Sequence, residues 1–176
     1  MKKVLIAVAL LTGIMSPSVL EAQFNWSGGS NDPIGTRQGC FYIRSLNNNY
    51  QQSHRFLDGA SDKKTVKLVD GRSHGTIWDV RNTSDGYVLR SMNKSYQSSP
   101  YYLDAESNGQ AVKIQNGISH GVYWNMIGTP NRAQLRSKNR NHRNFLDGAS
   151  DGRTVKLVSD TSHGTYWQLQ SVKCPY

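Results

Sequence analysis

From Phe41 onward the chain alternates apolar and polar residues in short runs. Ile43 stands between the polar-tipped Tyr42 and Arg44, Leu57 sits in Arg55 to Asp58, and Val66-Lys67-Leu68 and Trp78-Asp79-Val80 each alternate. A period of two sends successive side chains to opposite faces, so these runs predict half-buried β-strands. Asn47-Asn48-Asn49, Asp58-Gly59, Asp70-Gly71 and Ser84-Asp85-Gly86 punctuate them with residues that favour turns. No window sustains a helical period, so the expected class is all-β.

The same block then returns twice. Ile43-Arg44-Ser45, Phe56-Leu57-Asp58, Val66-Lys67-Leu68, Ser73-His74-Gly75 and Trp78 are matched by Leu89-Arg90-Ser91, Tyr102-Leu103-Asp104, Val112-Lys113-Ile114, Ser119-His120-Gly121 and Trp124. The third copy reads Leu135-Arg136-Ser137, Phe145-Leu146-Asp147, Val155-Lys156-Leu157, Ser162-His163-Gly164 and Trp167. The period is about 46 residues, a length that signals a repeat architecture. The third copy is shorter by about three residues between Arg136 and Leu146, which marks a loop that tolerates deletion.

Four strand signals in each of three copies predict twelve strands. An open array needs distinct capping repeats, yet the first and third copies share Phe-Leu-Asp-Gly-Ala-Ser-Asp and differ from the second. The pattern predicts instead a closed barrel of pseudo-threefold symmetry with a hairpin cap, the β-trefoil, built from three four-stranded repeats at 41–86, 87–131 and 132–176. A three-bladed propeller has the same strand number but falls below the usual number of blades.

The first residues read differently. Lys2 and Lys3 precede an apolar run from Val4 to Met15, and Ser16 to Ala22 carries small and turn residues. This is the pattern of a bacterial-type secretory signal peptide over 1–22, with cleavage expected after Ala22, and it predicts a secreted or periplasmic protein. No further apolar stretch is long enough to span a membrane, so no transmembrane segment is expected in the mature chain. Residues 23–40 form a lead-in containing Trp26, and 41–176 form the domain. A chain of roughly 150 residues suits one domain burying about 70% of the surface exposed when unfolded.

Cys40 and Cys174 bracket the repeats. In an exported protein such a pair predicts a disulfide. Closing so long a loop contributes about 5 kcal/mol in the chain-entropy model, and it suits an architecture whose ends meet. The formal charge of +9 falls to about +8 without the leader. A basic exported protein tends to meet anionic partners such as acidic polysaccharide or anionic lipid. Nucleic acid is disfavoured for an exported chain, although charge alone attracts it weakly.

Residues 41–170 resemble the ricin B-type β-trefoil lectins in repeat length, in the Leu-Asp pair early in each copy and in the Trp that closes each copy. The resemblance implies one sugar site per repeat, with glycans as partners and Asp58, Asp104 and Asp147 accepting hydrogen bonds from sugar hydroxyls. A carboxylate suits that task because it can accept from two vicinal hydroxyls; the plainer alternative is an Asp capping its own turn. The family places a stacking ring after the third strand, where this chain has Val69, Gln115 and Val158. Its closing Gln-x-Trp is replaced by Gly75-Thr76-Ile77-Trp78, Gly121-Val122-Tyr123-Trp124 and Gly164-Thr165-Tyr166-Trp167. A different ligand mode on the same scaffold is therefore expected.

The Ser-His-Gly triplet is the chain's own signature. His74, His120 and His163 could each bond a ligand hydroxyl beside the Asp of its repeat, could meet on the threefold axis around a metal, or could close a turn for which the following Gly supplies an unusual backbone angle. No metal or other cofactor is expected. Trp78, Trp124 and Trp167 are expected in the core. Arg44, Arg90 and Arg136, with Lys67, Lys113 and Lys156, should face outward. Arg136, Lys138, Arg140 and Arg143 crowd one loop of the third copy, which could grip sulfate, phosphate or carboxylate groups or form a solvated basic face. Tyr50, Tyr96, Tyr101 and Tyr102 lie in or beside first-to-second-strand loops, as sugar platforms or edge packing. The third copy, with its shortened loop, has no counterpart to Tyr50 or Tyr96.

No paired carboxylates, Gly-x-Ser-x-Gly, His-Glu-x-x-His or phosphate loop appears, so no enzyme is expected. The reading is a lectin-like protein with up to three shallow sites, such as an adhesin or the targeting subunit of a toxin. The alternative is a protein-interaction or protease-inhibitor module.

Overall fold

The computed structural model describes residues 38–50, 53 and 55–176. The expected signal peptide and most of the lead-in, Trp26 included, lie outside the described residues. Within them no helix is long and apolar enough to cross a membrane.

Twelve strands follow the alternation: β1 (Gly39–Ser45), β2 (Arg55–Gly59), β3 (Val66–Asp70), β4 (Ile77–Thr83), β5 (Gly86–Ser91), β6 (Tyr101–Ala105), β7 (Val112–Asn116), β8 (Trp124–Thr129), β9 (Arg132–Ser137), β10 (Phe145–Gly148), β11 (Val155–Val158) and β12 (Trp167–Val172). Six of them pair antiparallel in a closed circuit, β1 to β4, β5, β8, β9, β12 and back to β1. Closure removes the unpaired edges that a flat sheet would expose. β1 starts at Gly39, so Cys40 belongs to the barrel and not to the lead-in.

The other six strands form hairpins β2–β3, β6–β7 and β10–β11. Each hangs from the barrel at the repeated arginine, through Arg44 with Phe56, Arg90 with Tyr102 and Arg136 with Phe145. The hairpins then lean on one another in a cycle. Leu68 N–H donates to the Arg153 carbonyl at 2.7 Å, Leu157 N–H to Gln110 at 2.8 Å and Ile114 N–H to Lys64 at 2.9 Å. Each bond crosses from one repeat to another, so no repeat completes its backbone pairing alone.

Trp78, Trp124 and Trp167 are fully buried. Each indole N–H donates to a carbonyl of its own hairpin, that of Leu57, Leu103 or Leu146, at 2.9 to 3.0 Å. A buried donor left unpaired would cost about 1–3 kcal/mol, which is why the closing residue is Trp beside a strand carbonyl. Ile43, Leu57, Leu89, Leu103, Leu135 and Leu146 fill the space between them. Cys40 and Cys174 are bonded, with Cα atoms 5.2 Å apart, tying β1 to the segment after β12.

A second set of repeated contacts fastens neighbouring repeats. Asn47, Asn93 and Asn139 donate their amides to the carbonyls of Gly148, Gly59 and Ala105 at 2.8 to 2.9 Å. Just beyond, Tyr50 and Tyr96 are buried against the previous repeat's hairpin turn. The Tyr50 hydroxyl accepts from Gly152 N–H at 2.9 Å; that of Tyr96 accepts from Lys63 N–H at 3.1 Å and donates to the Ala60 carbonyl. The third repeat does have a counterpart. His142 Nε2 lies 2.7 Å from the Glu106 carbonyl in the second repeat's hairpin turn. A shorter loop brings a shorter side chain to the same task, so the two tyrosines are keystones here and not platforms for sugars.

Candidate functional site

Each hairpin carries a buried aspartate next to last in its first strand: Asp58 in β2, Asp104 in β6 and Asp147 in β10. Opposite it, Ser73, Ser119 or Ser162 caps a single 3-10 turn, His74–Thr76, His120–Val122 or His163–Thr165. The serine hydroxyl accepts from the N–H of Gly75, Gly121 or Gly164 at 3.1 to 3.2 Å. In two repeats it also donates to the aspartate, at 2.8 Å for Ser119 to Asp104 and 2.9 Å for Ser162 to Asp147. Asp104 and Asp147 therefore bond across the fold to serine.

The glycine after each histidine has a cause different from the one expected. None of Gly75, Gly121 and Gly164 has a positive φ. A Cβ at these positions would stand 2.2 to 2.3 Å from the Oδ1 of Asp58, Asp104 or Asp147, closer than any real contact. Glycine is required because the carboxylate packs against its Cα. Serine, not histidine, closes the turn. His120 and His163 are exposed and His74 is half-buried. Among the described residues no group of three or more His, Cys, Asp or Glu is placed to hold a metal.

Burial pushes the carboxyls of Asp58 and Asp104 above the ordinary aspartate range, against the opposing pull of the lysine and the serine beside each. In the second repeat Asp104 Oδ2 faces Lys113 Nζ at 3.9 Å, and Lys113 also reaches Glu106 at 3.8 Å. One oxygen of Asp104 is thus taken by Ser119, and the residue borders a cleft of about 480 Å³. Lys113, Gln115, His120, Asn139 and Asn141 line that cleft with donors and acceptors. A second cleft of about 470 Å³ adjoins it, lined by Asp85, Ile118, Tyr123 and Lys138. Ser119, His120 and Arg140 border both.

The basic loop of the third repeat divides at this point. Lys138 and Arg140 turn to the clefts of the second repeat. Arg136 turns back, donating from Nε to the Arg143 carbonyl at 2.9 Å with its guanidinium over Phe145, and Arg143 borders neither cleft. Val69, Gln115 and Val158 are half-buried in or beside their hairpins. Sequence reasoning passed over Asn139 and Asn141, and named Gln115 only as a place where a stacking ring is missing. Asn139 was legible as part of the repeated Ser-x-Asn, at Ser45, Ser91 and Ser137. Gln115 stood out only as a polar residue where the other copies have valine.

No family model matches the chain, and no curated protein matches it. Solved structures do. SeviL bound to asialo-GM1 saccharide aligns with a TM-score of 0.57 at 17% identity, over 77% of this chain and 98% of that one. The GlcNAcα1-4Gal-releasing endo-β-galactosidase from Clostridium perfringens aligns with a TM-score of 0.56 at 17% identity, over 76% of this chain and 32% of that one. At such identity the likeness is one of fold.

Proposed function

We propose that the chain is a β-trefoil of the ricin B type that binds glycans without catalysing their cleavage. In this reading it is exported, closed by its disulfide, and presents up to three shallow sites. The observation that carries it is the cleft above Asp104, where a carboxylate oxygen sits among amide, imidazole and ammonium groups in an open polar trough. Saccharides present dense arrays of hydroxyls that need such mixed donors and acceptors. The aligned SeviL structure holds a saccharide, which supports the reading by analogy of fold. Related sites on three repeats would each bind weakly and gain through avidity on a glycan-covered surface. An adhesin or the targeting subunit of a toxin is the role this suits.

The test is a glycan array probed with the oxidised protein and with Asp104→Asn. The aspartate supplies only an acceptor at the cleft, and the amide places a donor there. Expected is binding to a defined set of glycans that weakens about tenfold or more in the variant, the worth of one charge-assisted hydrogen bond. A protein that binds no glycan at any density sinks the proposal.

A further inference from the structure

The two adjoining clefts are built by the second repeat together with a loop that the third repeat lends it, and that loop differs from its counterparts. Ser137-Lys138-Asn139-Arg140 occupies the place of Ser91-Met92-Asn93-Lys94 and of Ser45-Leu46-Asn47-Asn48. The backbone agrees with this equivalence. Lys138, Met92 and Leu46 each donate their N–H at 2.9 Å to the residue just before the closing Trp, namely Tyr123, Ile77 and Tyr166. The scaffold thus requires a residue there but does not require a lysine. Met92 is buried and Leu46 half-buried, whereas Lys138 runs out across Gly86 to the cleft.

The charges at this place are not all spent. Lys113 is matched by Asp104 and Glu106. Among the described residues Lys138 and Arg140 are held in no ion pair, and Asp85 is the one carboxylate that borders the same cleft. Beside them Ile118 is 55% exposed, the most exposed large aliphatic residue among those described. Its counterparts are Arg72 and Thr161. An exposed isoleucine next to half-buried Tyr123 gives the cleft an apolar wall, which suits the C–H face of a sugar ring.

We propose that the second repeat carries an acidic-saccharide site spanning both clefts. A hydroxyl-bearing ring sits at Asp104, the chain passes His120, and a carboxylate or sulfate on the next unit lies between Lys138 and Arg140 with its ring face on Ile118 and Tyr123. The guanidinium offers paired donors to either anion, and the ammonium adds a point charge. The first repeat keeps one cation of this pair, Lys94, and the third keeps neither. Acid recognition therefore belongs to one repeat of the three. The proposal rests on the glycan-binding reading above, so its test separates the two.

Binding is measured by calorimetry for matched oligosaccharides in neutral, sialylated and sulfated form, with DNA as a non-saccharide polyanion. The proteins are the wild type and a Lys138→Met, Arg140→Asn double variant, whose new residues already serve at the equivalent positions and preserve the aliphatic cover over Gly86. Expected is about tenfold or greater preference of the wild type for one acidic form over its neutral partner, falling with added salt. The double variant should lose the preference for the acidic form over its neutral partner while keeping its thermal midpoint. Neutral and acidic forms bound alike, a preference that survives in the double variant, or equal binding of DNA would each overturn the acidic site and leave glycan binding intact. Failure to bind any saccharide would overturn both.

Discussion

The second repeat and its two neighbours share an interior but differ at the rim. In all three the Trp-to-Leu bond, the serine-capped turn and the aspartate held against glycine recur within about a tenth of an ångström. Outside that interior the second repeat departs. Glu106 stands for Ala60 and Ala149, Asn108 for Asp62 and Asp151, Gln115 for Val69 and Val158, and Ile118 for Arg72 and Thr161. It also lacks the threonine of the full capping box, having Val122 where Thr76 and Thr165 bond back to their serines. What repeats three times is therefore what closes the fold, and the clefts lie where the repeat breaks down.

Three groups of substitutions probe this division. The largest effect is expected from alanine at the interior glycines. In Gly121→Ala the new Cβ would lie 2.2 Å from Asp104 Oδ1 and 2.4 Å from the Ala105 carbonyl, so strand or turn must shift. Overpacking of this kind costs about 3 kcal/mol. Gly75→Ala and Gly164→Ala should cost about as much by chemical denaturation. A tolerated substitution in one repeat alone would break the claim that the interiors are equivalent.

A smaller effect, of opposite sign, belongs to the hairpin turns. Gly109 and Gly152 take φ of 71° and 70° at their turns, and the first repeat puts Lys63 there at 63°. A side chain in the left-handed region costs about 1 kcal/mol. Lys63→Gly should stabilise the protein by up to about 1 kcal/mol after the extra freedom of glycine in the unfolded chain is discounted. The Tyr96 hydroxyl bond to the backbone N–H at this position would remain. No gain in thermal midpoint would show that the first turn is not strained relative to the others.

The smallest effect is on pH dependence. Asp62 accepts from the N–H groups of Lys64 and Thr65 and from the Thr65 hydroxyl, and these bonds lower its carboxyl to about 2. Asp151 makes the same bonds, with the same lowering to about 2. A depressed folded value means that their contribution is present above the unfolded value of 3.8 and is lost as pH falls toward 2. Asn108 makes the matching backbone bonds with no proton to gain. Asp62→Asn with Asp151→Asn should therefore flatten the thermal midpoint between pH 4 and 2, roughly the window those values define. Asp104 has the opposite sign. Burial raises its carboxyl, so its contribution is present at acid pH and declines as pH rises through the raised value. Asp104→Asn should remove that decline. Midpoints that track wild type in both variants would break the assignment.

Legibility followed the same division. The strands, the tryptophan core and the paired cysteines were written in alternation, period and spacing, because each depends on residues close in sequence or on simple parity. The keystone role of Tyr50 and Tyr96 was not, since their partners lie 102 and 33 residues away in another repeat. His142 could not be matched to them by residue type, because only the shortened loop makes an imidazole reach where a phenol otherwise stands. The glycine of Ser-His-Gly was visible as a constraint, but its cause, a carboxylate pressed on its Cα, was not.

By itself the amino-acid sequence determined that this is an all-β chain of three like units, each with a buried Trp and a charge-bearing hairpin. Those properties follow from side-chain period and from the need to bury apolar faces, which any copy expresses locally. The tertiary structure alone decided that every repeat is fastened by its neighbour, and that Lys138 and Arg140 of the third repeat wall the clefts of the second. Those are outcomes of barrel closure, which places loops from different repeats side by side irrespective of their distance along the chain.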